Sequence, residues 1–376
     1  MIRISLIVMM VCMGLSTVQS QASSNEAYGY FNDAISHFKS RDFQAAIISY
    51  SQAIDVDPSY TKAYYNRANA KLNIKDYPGA IRDFKKVIQL DPEFAKAYLY
   101  KGYAEMQQKK YDLAIQSFTQ AVKKDPNLDK AYLNRGTIYM KQKQYAKAVS
   151  DLSIALDTNP DNAVAYYNRG LCNTRLDQHH DAINDYSMAL ELKPDMVGAF
   201  SVRGKAFLKI EKYGEAISDF NAAIKMKPRV AEFYYYRGFA KMSMENVKGA
   251  HDDFTTSLEI DPSYKNALIN RAITSIELGK NNDAIVDYSK LIKLYPEKHA
   301  YYINRGIAFL KESEYEMAVK DFNKALKKND QVPQAYFNRA NAFTKLDMFD
   351  KACRDMRKAA ELGYDQAFDH IRNLCQ

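Results

Sequence analysis

Apolar residues recur in this chain with helical spacing inside a register 34 residues long. Counting the first unit from Ala27, positions 4, 8 and 11 fall on one stripe of a first helix, and positions 20, 24, 27 and 28 on one stripe of a second. Position 20 is Ala in all ten units, from Ala46 to Ala352, and position 8 is always Gly or Ala. Position 24 is large and apolar, as at Tyr50, Phe118, Leu152, Phe254 and Met356. Small side chains at 8 and 20 let two backbones approach, and the bulky residue at 24 fills the space beside them. The pattern predicts a helical hairpin repeated ten times. Pro58, Pro92, Pro126, Pro160, Pro194, Pro228, Pro262 and Pro296 all fall at position 32. Proline lacks an N–H and pushes the residue before it out of the helical region, so each should end a second helix. A period held this strictly marks a stacked array rather than one globular core.

The units run 27–60, 61–94, 95–128, 129–162, 163–196, 197–230, 231–264, 265–298, 299–332 and 333–366. Gly363 reads as the stop of the last repeat helix, and a further helix from Asp365 to Leu374 caps the array over 367–376. Unit 4 displays the motif: Tyr132, Gly136, Tyr139, Tyr145, Ala148, Leu152, Ala155 and Pro160. This resembles the tetratricopeptide repeat over the whole span 27–366. The resemblance implies an all-α, right-handed superhelical solenoid of about ten helix-turn-helix units plus a C-terminal capping helix. It also implies that the first helices line a concave side, with positions 2, 5, 6, 9 and 13 open to ligand. His179, Val247 and Asn281 depart from the aromatic at position 17, and Asp330 and Tyr364 from the proline, without disturbing the register.

Two polar positions change together. Position 7 is Arg in eight units (Arg67, Arg135, Arg169, Arg203, Arg237, Arg271, Arg305, Arg339), and position 23 is Asp in the same eight. Units 1 and 3 lack both, carrying Asp33 with Ser49 and Lys101 with Ser117. The simplest cause is a structural ion pair between the two helices of a unit, as between Arg169 and Asp185 or Arg203 and Asp219.

The candidate binding groove is built from three sets of residues. Asn66, Asn134, Asn168, Asn270, Asn304 and Asn338 occupy position 6, where amides could grip a peptide backbone or bond neighbouring helices. Tyr65, Tyr167 and Tyr235 belong to a mostly aromatic or aliphatic position 5, either packing or apolar anchors. Lys62, Lys96 and Lys130 at position 2 of units 2 to 4 make the N-terminal part of that groove the expected place for an acidic ligand. The carboxylate clamp of some family members is missing, because no unit has Arg at position 6.

Composition narrows the function classes. The formal charge of +8 is spread over all units among Asp and Glu, too diffusely to argue for nucleic acid. No phosphate loop, paired-cysteine spacing or nucleophile motif is present. His179 and His180 fall at an interhelical turn and point different ways. We therefore expect no enzyme, no catalytic residues, no cofactor and no metal. Arg3, the apolar run Ile4 to Leu15 and the small residues after it predict a signal peptide over 1–22, cleaved after Ser20 or Ala22. Met10-Val11 before Cys12 does not suit lipidation, and no other apolar run is long enough to span a bilayer. The expected location is therefore the periplasm or the exterior, with no integral membrane segment after signal removal. Cys353 lies ten residues before Gly363 and Cys375 twelve after it, which sets them at similar height on an antiparallel helix pair. In an oxidising compartment a disulfide is expected there. The closing segment also resembles the tails of some bacterial envelope repeat proteins. The expected function is an exported scaffold binding protein or peptide partners in its groove, with binding of an envelope glycan or anionic polymer through the basic face as the alternative.

Overall fold

The computed structural model describes residues 24–375, and the segment 1–22 expected to be a signal lies outside them. Every regular element among the described residues is an α-helix. The chain divides into two compact units, Met1–Pro194 and Asp195–Gln376.

The N-terminal unit holds five hairpins: α1 (24–39) with α2 (Phe43–Val56), α3 (Thr61–Asn73) with α4 (Tyr77–Leu90), α5 (Ala95–Gln107) with α6 (Tyr111–Lys124), α7 (Asp129–Lys141) with α8 (Tyr145–Thr158), and α9 (Ala163–Arg175) with α10 (His179–Leu192). The C-terminal unit holds five more: α11 (Val197–Lys209) with α12 (Tyr213–Met226), α13 (Ala231–Ser243) with α14 (Val247–Ile260), α15 (Lys265–Glu277) with α16 (Asn281–Leu294), α17 (His299–Lys311) with α18 (Tyr315–Lys328), and α19 (Pro333–Lys345) with α20 (Phe349–Glu361). The short α21 (Gln366–Leu374) closes it.

Each hairpin packs as its small residues require. The rings of Tyr186, Phe220 and Phe254 are fully buried, and a Cβ built on Gly170, Gly204 or Gly238 would fall within 3.0 Å of the facing ring. A second set of small residues joins one repeat to the next. Ala63, Ala97, Ala131 and Ala165 at position 3, and Ala70, Ala104, Ile138 and Cys172 at position 10, are wholly buried. Ala63 and Ala70 pack into the cluster of Tyr50 and Ala46, and Ala131 and Ile138 into that of Phe118 and Ala114. Within a unit, the first helix of a repeat therefore covers the hairpin before it.

The turns obey two local rules. Between the helices of a repeat, position 15 adopts a left-handed backbone with a non-glycine residue in nine repeats, among them Lys75, Lys143, Glu211 and Ser313; only Gly279 meets the demand with glycine. The following N–H bonds back across the turn, as Asp76 N–H does to the Lys71 carbonyl at 2.8 Å, satisfying a helix-end acceptor. After the second helices the residue before proline leaves the helical region, as at the extended Asp91 (φ −139°, ψ 92°). Its carboxylate accepts the Glu93 N–H at 3.0 Å. Repeat 9, with Asp330 in place of the proline, ends at the same place: Asn329 is extended and accepts from the Gln331 N–H at 3.0 Å. A side-chain turn therefore does what the imino acid does elsewhere.

Candidate functional site

The position-7 arginines are rivets. In all eight pairs Nε and Nη2 hold the two carboxylate oxygens of the position-23 aspartate, as between Arg67 and Asp83 (2.9 and 2.8 Å) or Arg203 and Asp219 (2.9 and 2.7 Å). Where the third nitrogen can be traced, it reaches back sixteen residues to the preceding second helix. Arg67 Nη1 donates to Ser51 Oγ at 3.0 Å, Arg135 to Thr119 at 2.9 Å, Arg169 to Ser153 at 3.0 Å and Arg339 to Asn323 at 2.6 Å. In six of the eight pairs the guanidinium also lies over the ring at position 4, 5.4 Å from Tyr64 for Arg67. One side chain thus ties three helices. Burial pushes the carboxyls of Asp185 and Asp219 above the usual range, against the pull of Arg169 and Arg203. These pairs set geometry rather than add much net stability.

Repeat 3 solves the same problem with other residues. Lys101 pairs with Glu105 at 2.9 Å and donates to Ser117 Oγ at 2.7 Å, and Ser117 donates to Glu105 at 2.6 Å. The buried carboxylate has moved from position 23 to position 11. Reading positions 7 and 23 alone misses Glu105; the signal was a carboxylate on the apolar stripe, four residues from the lysine.

The face that concentrates ligand-like chemistry lies on the first helices of repeats 1 to 4. A cavity of about 590 Å³ is lined by the rings of Phe38, Tyr65, Tyr100 and Tyr103 and by the amides of Asn66 and Asn69. Adjoining it, and sharing Leu72, Tyr100 and Tyr103, is a cavity of about 320 Å³ lined also by Leu99, Leu133, Asn134 and Lys130. The structure thus brings Tyr65 and Asn66 together in one cavity, and Asn134 and Lys130 in the next. Asn66 also reaches the hydroxyl of Tyr50, whose pKa burial pushes up to about 12 with this amide opposing it. Lys62 and Lys96 are exposed at the same register position as Lys130. In repeat 5, Tyr167 and Asn168 are half-buried, with the Tyr167 ring 6.1 Å from Tyr186.

In the C-terminal unit the corresponding residues are drawn into packing. Tyr235 lies edge-on to Tyr264 at 5.2 Å, and its hydroxyl meets Asn270. Asn304 meets the buried Tyr288 hydroxyl, whose pKa burial raises to about 12, and Asn338 is half-buried. Elsewhere in this unit a recess of about 210 Å³ is lined by His251, Thr255, Arg271, Asp283 and Val286. Neither ring nitrogen of His251 nor the Thr255 hydroxyl has a hydrogen-bond partner there. Burial, with Lys280 and Arg271, lowers the His251 pKa below its ordinary value against the opposing Asp252.

Cys353 and Cys375 are joined by a disulfide, Cα–Cα 5.6 Å, which fastens the end of α21 to α20. Cys172 is free and wholly buried, and burial pushes its thiol up to about 11. Among the described residues no group of three or more His, Cys, Asp or Glu converges as metal ligands, and no helix is long and apolar enough to cross a membrane.

Comparisons with known proteins agree on one class. Family models described as tetratricopeptide repeat match residues 31–92, 65–129, 129–162, 163–196, 202–265, 269–335 and 303–363. Among solved structures, the chain is similar to the C-terminal part of a tetratricopeptide-repeat-containing protein from Cytophaga hutchinsonii. That match has 19% identity over 64% of this chain and 98% of that one, with a TM-score of 0.54. It is also similar to a tetratricopeptide repeat protein from Parabacteroides merdae (18% identity, 66% and 99% covered, TM-score 0.46). A third match is YrrB, described as having an unusual peptide-binding site (24% identity, 49% and 95% covered, TM-score 0.48). No significant match is found among curated proteins.

Proposed function

The chain belongs to the tetratricopeptide repeat family, a class of protein-interaction scaffold, and we propose that its ligand is an extended peptide segment held along the first helices of repeats 1 to 4. One observation carries this reading: two adjoining cavities combine tyrosine and leucine walls with Asn66, Asn69 and Asn134 amides. Apolar walls accept side-chain anchors, and an amide offers both a donor and an acceptor to a peptide bond. Such a surface, held by buried helices, loses little entropy on binding. The disulfide supports an oxidising compartment, consistent with a cleaved signal and a periplasmic or secreted scaffold.

Selection of a displayed random-peptide library on the full chain tests the reading. The enriched peptides should lose about tenfold in affinity when Asn66, Asn69 and Asn134 are replaced by Ala. Peptides that bind this variant as tightly as the wild type would move the site off this face.

A further inference from the structure

The two cavities show which register positions face the groove: 2, 5, 6, 9, 12 and 13 of the first helices. Across repeats 1 to 5 these positions hold Lys39, Lys62, Lys96, Lys130, Lys141 and Arg175 and not one carboxylate, in a chain with 45 Asp and Glu. Acidic residues are common on the rest of the surface, so their absence from this one face is a property of the face. The contrast within the chain is direct. In the C-terminal unit position 2 of repeat 7 is Glu232, which accepts Lys205 at 2.7 Å, and position 13 of repeat 8 is Glu277. Lys62, Lys96 and Lys130 are exposed and form no salt bridge with any described residue, so their charge is free for an incoming group.

Resting on the peptide reading, we infer that the groove of the N-terminal unit selects an acidic extended segment carrying two apolar anchors. The anchors enter the cavities walled by Tyr65 and Tyr100 and by Leu99 and Leu133. The carboxylates between them meet the row of Lys62, Lys96 and Lys130, one per repeat in repeats 2 to 4. The amides hold the backbone whatever its sequence. Charge then sets which segment is admitted and how fast it arrives, while the cavities set how long it stays.

The probe is a short fluorescein-labelled peptide of glutamates with one phenylalanine and one leucine, compared with its glutamine isostere and with polyglutamate, on the full chain by anisotropy. The acidic peptide should bind about tenfold more tightly than the isostere at low salt, and the advantage should vanish at high salt. Lys62→Glu/Lys96→Glu/Lys130→Glu should abolish the preference, while Tyr103→Ala should weaken both peptides alike. All three lysines are exposed, so an unchanged circular dichroism spectrum and melting curve will accompany the triple variant. An isostere that binds as tightly as the acidic peptide, with both weakened by Tyr103→Ala, would end the acidic assignment and leave the peptide groove standing. Polyglutamate binding as tightly as the anchored peptide would overturn it in favour of a polyanion surface. No binding of any probe, or binding indifferent to Tyr103→Ala, would overturn the groove as well.

Discussion

Arg169 grips Asp185 from one side and Ser153 from the other. Its Nη2 lies 2.7 Å from one carboxylate oxygen, and its Nη1 donates to the serine hydroxyl of the preceding repeat at 3.0 Å. Asn173 completes the shell of the carboxylate at 2.9 Å. With the aspartate buried, its removal leaves a largely covered guanidinium unpaired. Asp185→Ala should cost about 3 kcal/mol, and the double replacement Arg169→Met/Asp185→Leu much less than the sum of its single changes. A double-mutant cycle in urea measures the coupling; additive losses would show that the contact carries no energy of its own.

Glycines at position 8 are not equivalent. A Cβ at Gly170 would lie 2.6 Å from the Tyr186 ring, whose hydroxyl is held by Thr174 at 2.8 Å and cannot retreat. A Cβ at Gly136 would meet the Leu152 side chain at 3.1 Å and the Ala148 carbonyl at 3.3 Å, contacts that need give by only a few tenths of an ångström. Gly170→Ala should therefore cost about 1–3 kcal/mol, whereas Gly136→Ala should be neutral or gain up to about 1 kcal/mol from helix propensity. Equal shifts in the two melting curves would contradict the packing argument.

The left-handed turn residues carry an avoidable strain. Lys143 is exposed and holds φ at 60°. Lys143→Gly removes a steric cost of about 1–2 kcal/mol and adds some unfolded-state entropy, for a net gain of about 0.5–1 kcal/mol. Gly279→Ala, at φ 74°, should lose a similar amount. Thermal unfolding of both variants should shift in opposite directions.

Acid should weaken the C-terminal unit through His251. Its folded pKa lies below the ordinary 6.5, so the unfolded chain takes up the proton first. The stability it contributes is present above pH 6.5 and is lost as pH falls through that value toward the folded pKa. Arg271 and Lys280 oppose protonation and Asp252 favours it. In His251→Leu the decline in melting temperature over that window should flatten; an unchanged slope would assign it to other groups.

The disulfide closes a loop of 22 residues around the last helices. Cys353→Ser should cost about 3 kcal/mol, since the open chain regains its loop entropy. The loss should be local, because each repeat leans only on its neighbours. Hydrogen exchange should rise in α20 and α21 and stay unchanged in α11 to α14. A uniform rise would mean that the whole unit unfolds as one body.

The repeated hairpin, its 34-residue pitch and the membership of the tetratricopeptide class were legible in the chain alone. Small residues at 8 and 20 and a bulky one at 24 can share a core only one way, and ten copies average out local exceptions such as Asn281 or Asp330. Tertiary structure decided everything that depends on neighbours in space rather than in sequence. Ala63, Ala70, Ala97 and Ala104 look like ordinary helix alanines until they are seen sealing the previous repeat. The third nitrogen of Arg67 finds Ser51 only when the hairpins stack, and Glu105, twelve residues before the aspartate position held by Ser117, supplies the missing carboxylate from the other helix of its own hairpin. Position 6 shows the same division: one amide per repeat is written in the sequence. Packing determines that Asn66, which like Asn270 and Asn304 meets a tyrosine hydroxyl, also lines an open cavity, as Asn134 does, because the bulk of each neighbouring side chain sets how much space remains.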